Sequence, residues 1–186
     1  MTKLGLLSVA VLVVTSHVAR ADDDQPERHL TIMVAPLRAI IPLAEITVEY
    51  AITPKVGASI ELGAGQRTIS SGSDDATGTE IEGGAQVRYY ALGDFRHGLE
   101  LGGELLEEYV KFREPLPGNI VGAAAGGATL GAFVGYKIAM RVGFTFEAQL
   151  GARYLIVDPQ ITGQSTGVPA FDKWAPLLHL NVGWSF

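Results

Sequence analysis

Leu178-His179-Leu180-Asn181-Val182-Gly183-Trp184-Ser185-Phe186 closes the chain. The even-numbered positions are all apolar, and the residues between them are polar or small. Successive side chains of a β-strand point to opposite faces, so this period of two predicts a strand with one apolar and one polar face. The pattern runs to the last residue. Ends of soluble domains lie at the surface and fray, so an exposed Trp-Ser-Phe finish suits a strand with lipid on one side.

The same alternation recurs upstream. Val142, Phe144, Phe146, Ala148, Leu150, Ala152 and Tyr154 oppose Gly143, Thr145, Glu147, Gln149, Gly151 and Arg153. Before them, Leu130, Ala132, Val134, Tyr136 and Ile138 oppose Thr129, Gly131, Phe133, Gly135 and Lys137. Leu99, Leu101 and Leu105 face away from Glu100, Gly102 and Glu104, and the pattern blurs near Glu107-Glu108, where this strand is expected to leave a membrane. Further back come Ile81 to Tyr90, Val56 to Gly65, Ile46 to Thr53 and a weakly patterned Leu30 to Leu37. That makes eight strands, the even number expected of a single-chain bacterial barrel.

The connections alternate in length. Thr53-Pro54-Lys55, Gly93 to Gly98 and Ala139 to Arg141 are short turns; Ser70 to Thr79, Arg113 to Asn119 and Asp158 to Lys173 read as longer polar loops. With both termini in the periplasm, the short turns become periplasmic and the long loops extracellular. The first link, Arg38 to Pro42, is short and apolar and has no explanation at this level. A competing reading makes Val121 to Met140 a transmembrane helix, because Gly127, Gly131 and Gly135 recur every four residues as in close-packed membrane helices. Removing that segment leaves seven strands, and the two-residue alternation through Thr129 to Ile138 favours a strand.

Met1 to Ala21 has the form of a secretory signal. Lys3 supplies the positive start, Leu4 to Val14 the apolar core, and Ala19-Arg20-Ala21 small residues at the two positions a signal peptidase inspects. The apolar run is too short for a transmembrane anchor, which needs about 20 residues. Residues 22–29 read as a flexible acidic lead-in and 30–186 as the barrel. Cleavage after Ala21 removes two of the 14 basic residues and takes the net charge from −6 to −8. No basic run offers a nucleic-acid surface. The absence of cysteine excludes disulfides and thiol chemistry.

The two faces define the candidate site. The outward set is Leu, Ile, Val, Ala and aromatic, a lipid-facing wall. Tyr50, Tyr89, Tyr136, Phe144, Trp184 and Phe186 fall near one edge, and Tyr109, Tyr154 and Trp174 near the other, as interfacial girdles do. The inward set carries Glu45, Glu49, Glu61, Glu82, Glu100, Glu104 and Glu147, with Arg88, Lys137, Arg153 and His179 among Gln86, Gln149 and Asn181. Eight strands leave an interior just wide enough for side chains to fill. Carboxylates there need partners or water, so Arg88, Lys137 and Arg153 are each expected to bridge several glutamates. His179 reads as a hydrogen-bonded lumen residue, with no metal and no cofactor expected, since nothing near it in sequence supplies a second ligand. The acids outnumber the bases, which leaves a narrow cation-preferring path as a second reading.

Taken whole, the chain resembles small eight-stranded outer-membrane β-barrels of the OmpA/OmpX kind. Ala19-Arg20-Ala21 and the strand Leu178, Leu180, Val182, Trp184, Phe186 carry the likeness most specifically. Ala35-Pro36-Leu37 and Val48-Glu49-Tyr50 also look like the opening of uncharacterised bacterial barrel families. The resemblance implies an all-β, antiparallel up-and-down transmembrane barrel in the outer membrane. It also implies outer-membrane lipid, periplasmic chaperones and the barrel-assembly machinery as partners, the last reading the terminal aromatic. Some small barrels of this kind remodel lipid A, but their outward His-x-Ser pair has no counterpart here, and the usual nucleophile, phosphate-loop and zinc signatures are missing. The expected role is therefore structural or interactive rather than enzymatic, with a loop ligand that the sequence does not name.

Overall fold

The structure, a computed structural model, describes residues 27–40, 42–71, 74–112, 124–157 and 173–186. Within these, eight strands form one closed antiparallel barrel in sequence order: β1 (Leu30–Val34), β2 (Leu43–Thr53), β3 (Val56–Ser71), β4 (Asp74–Asp94), β5 (His97–Phe112), β6 (Ala124–Ala139), β7 (Phe144–Val157) and β8 (Trp174–Ser185). Closure comes from β1 and β8, which pair from Thr31↔Ser185 to Val34↔Val182. Closing the sheet leaves neither the first nor the last strand as a free edge, although Trp174 to Asn181 of β8 pair with β7 alone. The segment 124–139, where the helical reading competed, is β6, paired along its length with β5 and β7. Among the described residues no helix is long and apolar enough to cross a membrane.

The alternation seen in sequence sorts the side chains as expected, with large apolar residues on the outside. Leu62, Leu101, Val134, Leu150 and Leu178 are each between 44% and 60% exposed, whereas Glu49, Arg88, Lys137 and Glu147 are each 0% exposed. Water-soluble barrels have the opposite arrangement. Two glycines fit the short-turn end: Gly93 (φ +80°), where a side chain would run into the His97 carbonyl, and Gly143 (φ +109°), where it would meet the Trp184 ring. Both conformations are strained for any residue with a Cβ.

Several expectations are corrected. The described part of the expected loop Ser70 to Thr79 extends the strands: β3 and β4 stay paired out to Ser71↔Asp74, because backbone pairing needs no apolar face to continue. The alternation does not break at Glu107-Glu108 either. Glu107, Tyr109 and Lys111 point out while Leu106, Val110 and Phe112 are buried inside. The period is kept and the polarity of the two faces inverts. Val142 lies in the turn before β7, not in a strand.

The described end of the lead-in is docked rather than loose. Arg28 donates to the carbonyls of Met140 (2.6 Å) and Arg141, and the His29 amide donates to the Phe186 carbonyl (2.9 Å). The first link also gains an explanation. Arg38–Ile40 forms a single 3₁₀ turn that folds over the barrel mouth and directs Arg38 inward. The signal region with Ala19 and Ala21, the loop Arg113 to Asn119, and Asp158 to Lys173 except Lys173 itself lie outside the described residues.

Candidate functional site: the charged lumen

All eleven charged residues assigned inward by sequence line the interior: Glu45, Glu49, Glu61, Glu82, Arg88, Glu100, Glu104, Lys137, Glu147, Arg153 and His179. Strand register stacks them in three levels between the short-turn end and the loop end.

The level nearest the short turns is balanced in charge. Arg88 donates through Nη1 to Glu49 (3.0 Å) and to Glu147, and through Nε and Nη2 to Gln86 Oε1 (3.0 and 2.7 Å). Lys137 Nζ donates to Glu49 Oε2 (2.6 Å) and Thr31 Oγ1 (3.0 Å) and sits 3.6 Å from the centroid of the Phe95 ring. Tyr90 donates to the other Glu49 oxygen (2.6 Å), and Asn181 to Glu147 (2.9 Å). Two cations thus meet two carboxylates, and each of the four carboxylate oxygens accepts at least one hydrogen bond, the condition under which buried ion pairs are tolerated. Phe95, Tyr90 and Ala51 pack beneath as an apolar cap.

At mid-height, Gln86 donates to Glu104 (2.8 Å) and Gln149 to Glu100 (2.8 Å). Arg153 donates to Glu104 through Nε (2.7 Å), and its Nη2 lies 2.7 Å from His179 Nε2. A guanidinium only donates, so Nε2 is the acceptor and the proton of neutral His179 resides on Nδ1. That Nδ1 faces Glu61 Oε1 at 3.7 Å.

Toward the loop end, Arg38 stands between Glu45 (3.0 Å) and Glu82 (3.4 Å), and Arg67 between Glu80 (3.1 Å) and Glu108 (3.5 Å).

Of the expected bridging bases, Arg88 does join two glutamates. Lys137 and Arg153 reach one each, because Thr31 and His179 take their other donors. It is Glu49 that is bridged twice. Arg38, Phe95 and Glu80 were not anticipated. A lone base in the apolar link beside a lumen rich in acids was the available signal for Arg38; an aromatic inside the tight turn Gly93 to Gly98 was the signal for Phe95. Nothing near His179 in sequence offers it a second ligand atom, but the fold does bring carboxylates to it. Closing the sheet brings Glu45 of β2 and Glu61 of β3 across the lumen to β8, so that one ligand atom from each of the three lies within 4.8 Å of the others.

The terminal residues Leu178, Leu180, Val182, Trp184 and Phe186 lie on the outer wall. Trp174 and Tyr154 meet edge to face at the loop-end rim, with centroids 4.9 Å apart.

At the short-turn end, the Asp94 carboxylate accepts from the Arg96 amide (2.9 Å), the Arg96 guanidinium (3.0 Å) and the His97 amide (3.4 Å). Partial burial works to raise its pKa, but the Arg96 and His97 hydrogen bonds outweigh it and hold the carboxyl below its ordinary value of 3.8. A depressed folded-state value means stability that is present above the unfolded pKa and lost as pH falls through the folded one. Asp94→Asn is therefore expected to cost about 0.5–1 kcal/mol at neutral pH, with the gap to wild type closing below the ordinary value. Urea midpoints measured from pH 7 down to pH 2.5 check this; a gap that stays constant would contradict it.

No protein-family model matches the chain, and no curated protein does. Among solved structures, the crystal structure of CarO from Acinetobacter baumannii is similar over 85% of this chain and 98% of its own, at 12% identity and a TM-score of 0.43.

Proposed function

We propose that the chain is an integral outer-membrane barrel with a structural and surface-interaction role, exported through the signal at 1–21, with a charged and largely closed lumen and loops that face the outside. One observation carries the reading: the barrel has reversed polarity, with leucines and valines on its exposed wall and charged side chains buried in its interior. Water would penalise that wall, whereas hydrocarbon favours it and requires the closed hydrogen-bonding that the barrel supplies. The aromatic residues near both rims fit the two interfaces. The short turns then face the periplasm and the taller β3–β4 and β5–β6 hairpins face outward.

The closed lumen is supported by the fully buried level of Arg88, Lys137, Glu49 and Glu147 above the Phe95 cap. Heat-modifiable migration on detergent gels and recovery in the outer-membrane fraction are the expected results, and a soluble, heat-insensitive product would overturn the location. Planar-bilayer recording tests the lumen, with no steps above background expected. Reproducible cation-preferring steps, lost when Glu49, Glu61 and Glu104 become Gln, would establish a channel instead. Lipid A mass spectra should be identical with and without the protein; a changed spectrum would point to a lipid-modifying enzyme.

A further inference from the structure

We propose that Glu45, Glu61 and His179 form a binding site for one divalent transition-metal ion inside the barrel, of the kind zinc occupies. All three are at most 4% exposed, and their candidate ligand atoms lie within 4.8 Å of one another. Independently of that clustering, both Glu61 oxygens and His179 Nδ1 have no hydrogen-bond partner, although each is buried and aimed into the cluster. Among the described residues Glu61 has no Lys or Arg within ion-pair distance, and Glu45 shares Arg38 with Glu82.

Charge points the same way. The lower level balances Arg88 and Lys137 against Glu49 and Glu147, and Arg153 balances Glu104. Around Glu61, three carboxylates (Glu45, Glu61 and Glu82) face the single charge of Arg38, whereas Glu100, also without a Lys or Arg, is held by Gln149. A divalent ion supplies what is missing. Buried carboxylates without counter-charge are costly, and an imidazole nitrogen beside two carboxylates prefers zinc-like ions to calcium or magnesium.

The second ring nitrogen is also provided for. Ligation through Nδ1 moves the imidazole proton to Nε2 and displaces Arg153 Nη2. Glu104 Oε2, now 3.9 Å from Nε2, becomes the acceptor, while Arg153 keeps its 2.7 Å bond to the other Glu104 oxygen. A carboxylate behind the ligating histidine is the usual arrangement in metal sites. Glu80, Glu82 and Glu108 form a second carboxylate group at the loop end, on the ion's way in.

The test uses the purified barrel refolded in detergent, without a polyhistidine tag and stripped with chelator. Titration calorimetry with zinc chloride should give one site per chain. Affinity should fall at least tenfold in Glu61→Gln and in His179→Gln, and stay unchanged in His97→Ala, which alters a half-buried histidine at the short-turn end. Calcium should not compete at equal concentration. Cobalt(II) added to the unsubstituted protein should give visible absorption bands that zinc abolishes, a readout that does not depend on variants folding. No saturable zinc binding up to millimolar concentration, binding that survives the double substitution of Glu61 and His179, or cobalt bound without such bands would each overturn the site.

Discussion

Arg88→Met is expected to destabilise the folded barrel by about 3–5 kcal/mol, the usual cost of removing one partner from a buried ion-pair network. The guanidinium serves Glu49, Glu147 and Gln86 at once and is 0% exposed. Without it, two carboxylates are left with one ammonium in a fully buried site. Urea unfolding from lipid vesicles measures the loss, read by the emission of Trp174 and Trp184 on the outer wall. The pair Arg88→Met with Glu147→Gln should recover a large part of it, since Lys137 alone then balances Glu49 at 2.6 Å. A single-substitution cost below about 1 kcal/mol would mean that the network is wet and screened rather than dry.

Val134→Arg is expected to cost about 2–4 kcal/mol, the penalty for a cation at mid-depth on the lipid face of a barrel, and Glu107→Arg about 0–1 kcal/mol near the rim. Val134 is 44% exposed on the outer wall of β6, two positions from Tyr136 toward the loop end. Glu107 stands on the same wall of β5 beyond the point where the outward residues turn polar. Equal penalties at the two positions would contradict a wall buried in hydrocarbon. A penalty that tracks depth would fix where the bilayer ends.

The strands and their facing were legible because a period of two is written directly into the residues: Leu178 to Phe186 and Phe144 to Tyr154 can be sorted into two faces by reading alternate letters. The lumen set followed from the same rule, including Tyr90, which shares a face with Arg88. What the sequence concealed was of two kinds. Strand length beyond the apolar zone was one: Ser70 to Thr79 has loop composition, yet its described residues continue the β3–β4 ladder out to Ser71↔Asp74, because pairing already begun needs no apolar face to extend it. Contacts across the lumen were the other. Glu45, Glu61 and His179 lie on β2, β3 and β8, and only closure of the sheet sets them against one another. Arg38 was half hidden for a related reason: its charge stands out in an apolar link, but the bend that points it inward belongs to the fold.

The chain has no cysteine, which permits the most direct test of the reversed-polarity barrel. Single cysteines at positions 129 to 136 of β6, each carrying a nitroxide label in protein reconstituted into vesicles, can be scored for collision with oxygen, which concentrates in lipid, and with a water-soluble nickel chelate. The account predicts a period of two, with high oxygen and low nickel accessibility at 130, 132, 134 and 136 and neither at 129 and 133. A period near 3.6 residues, or nickel reaching the outward positions as readily as oxygen, would contradict it.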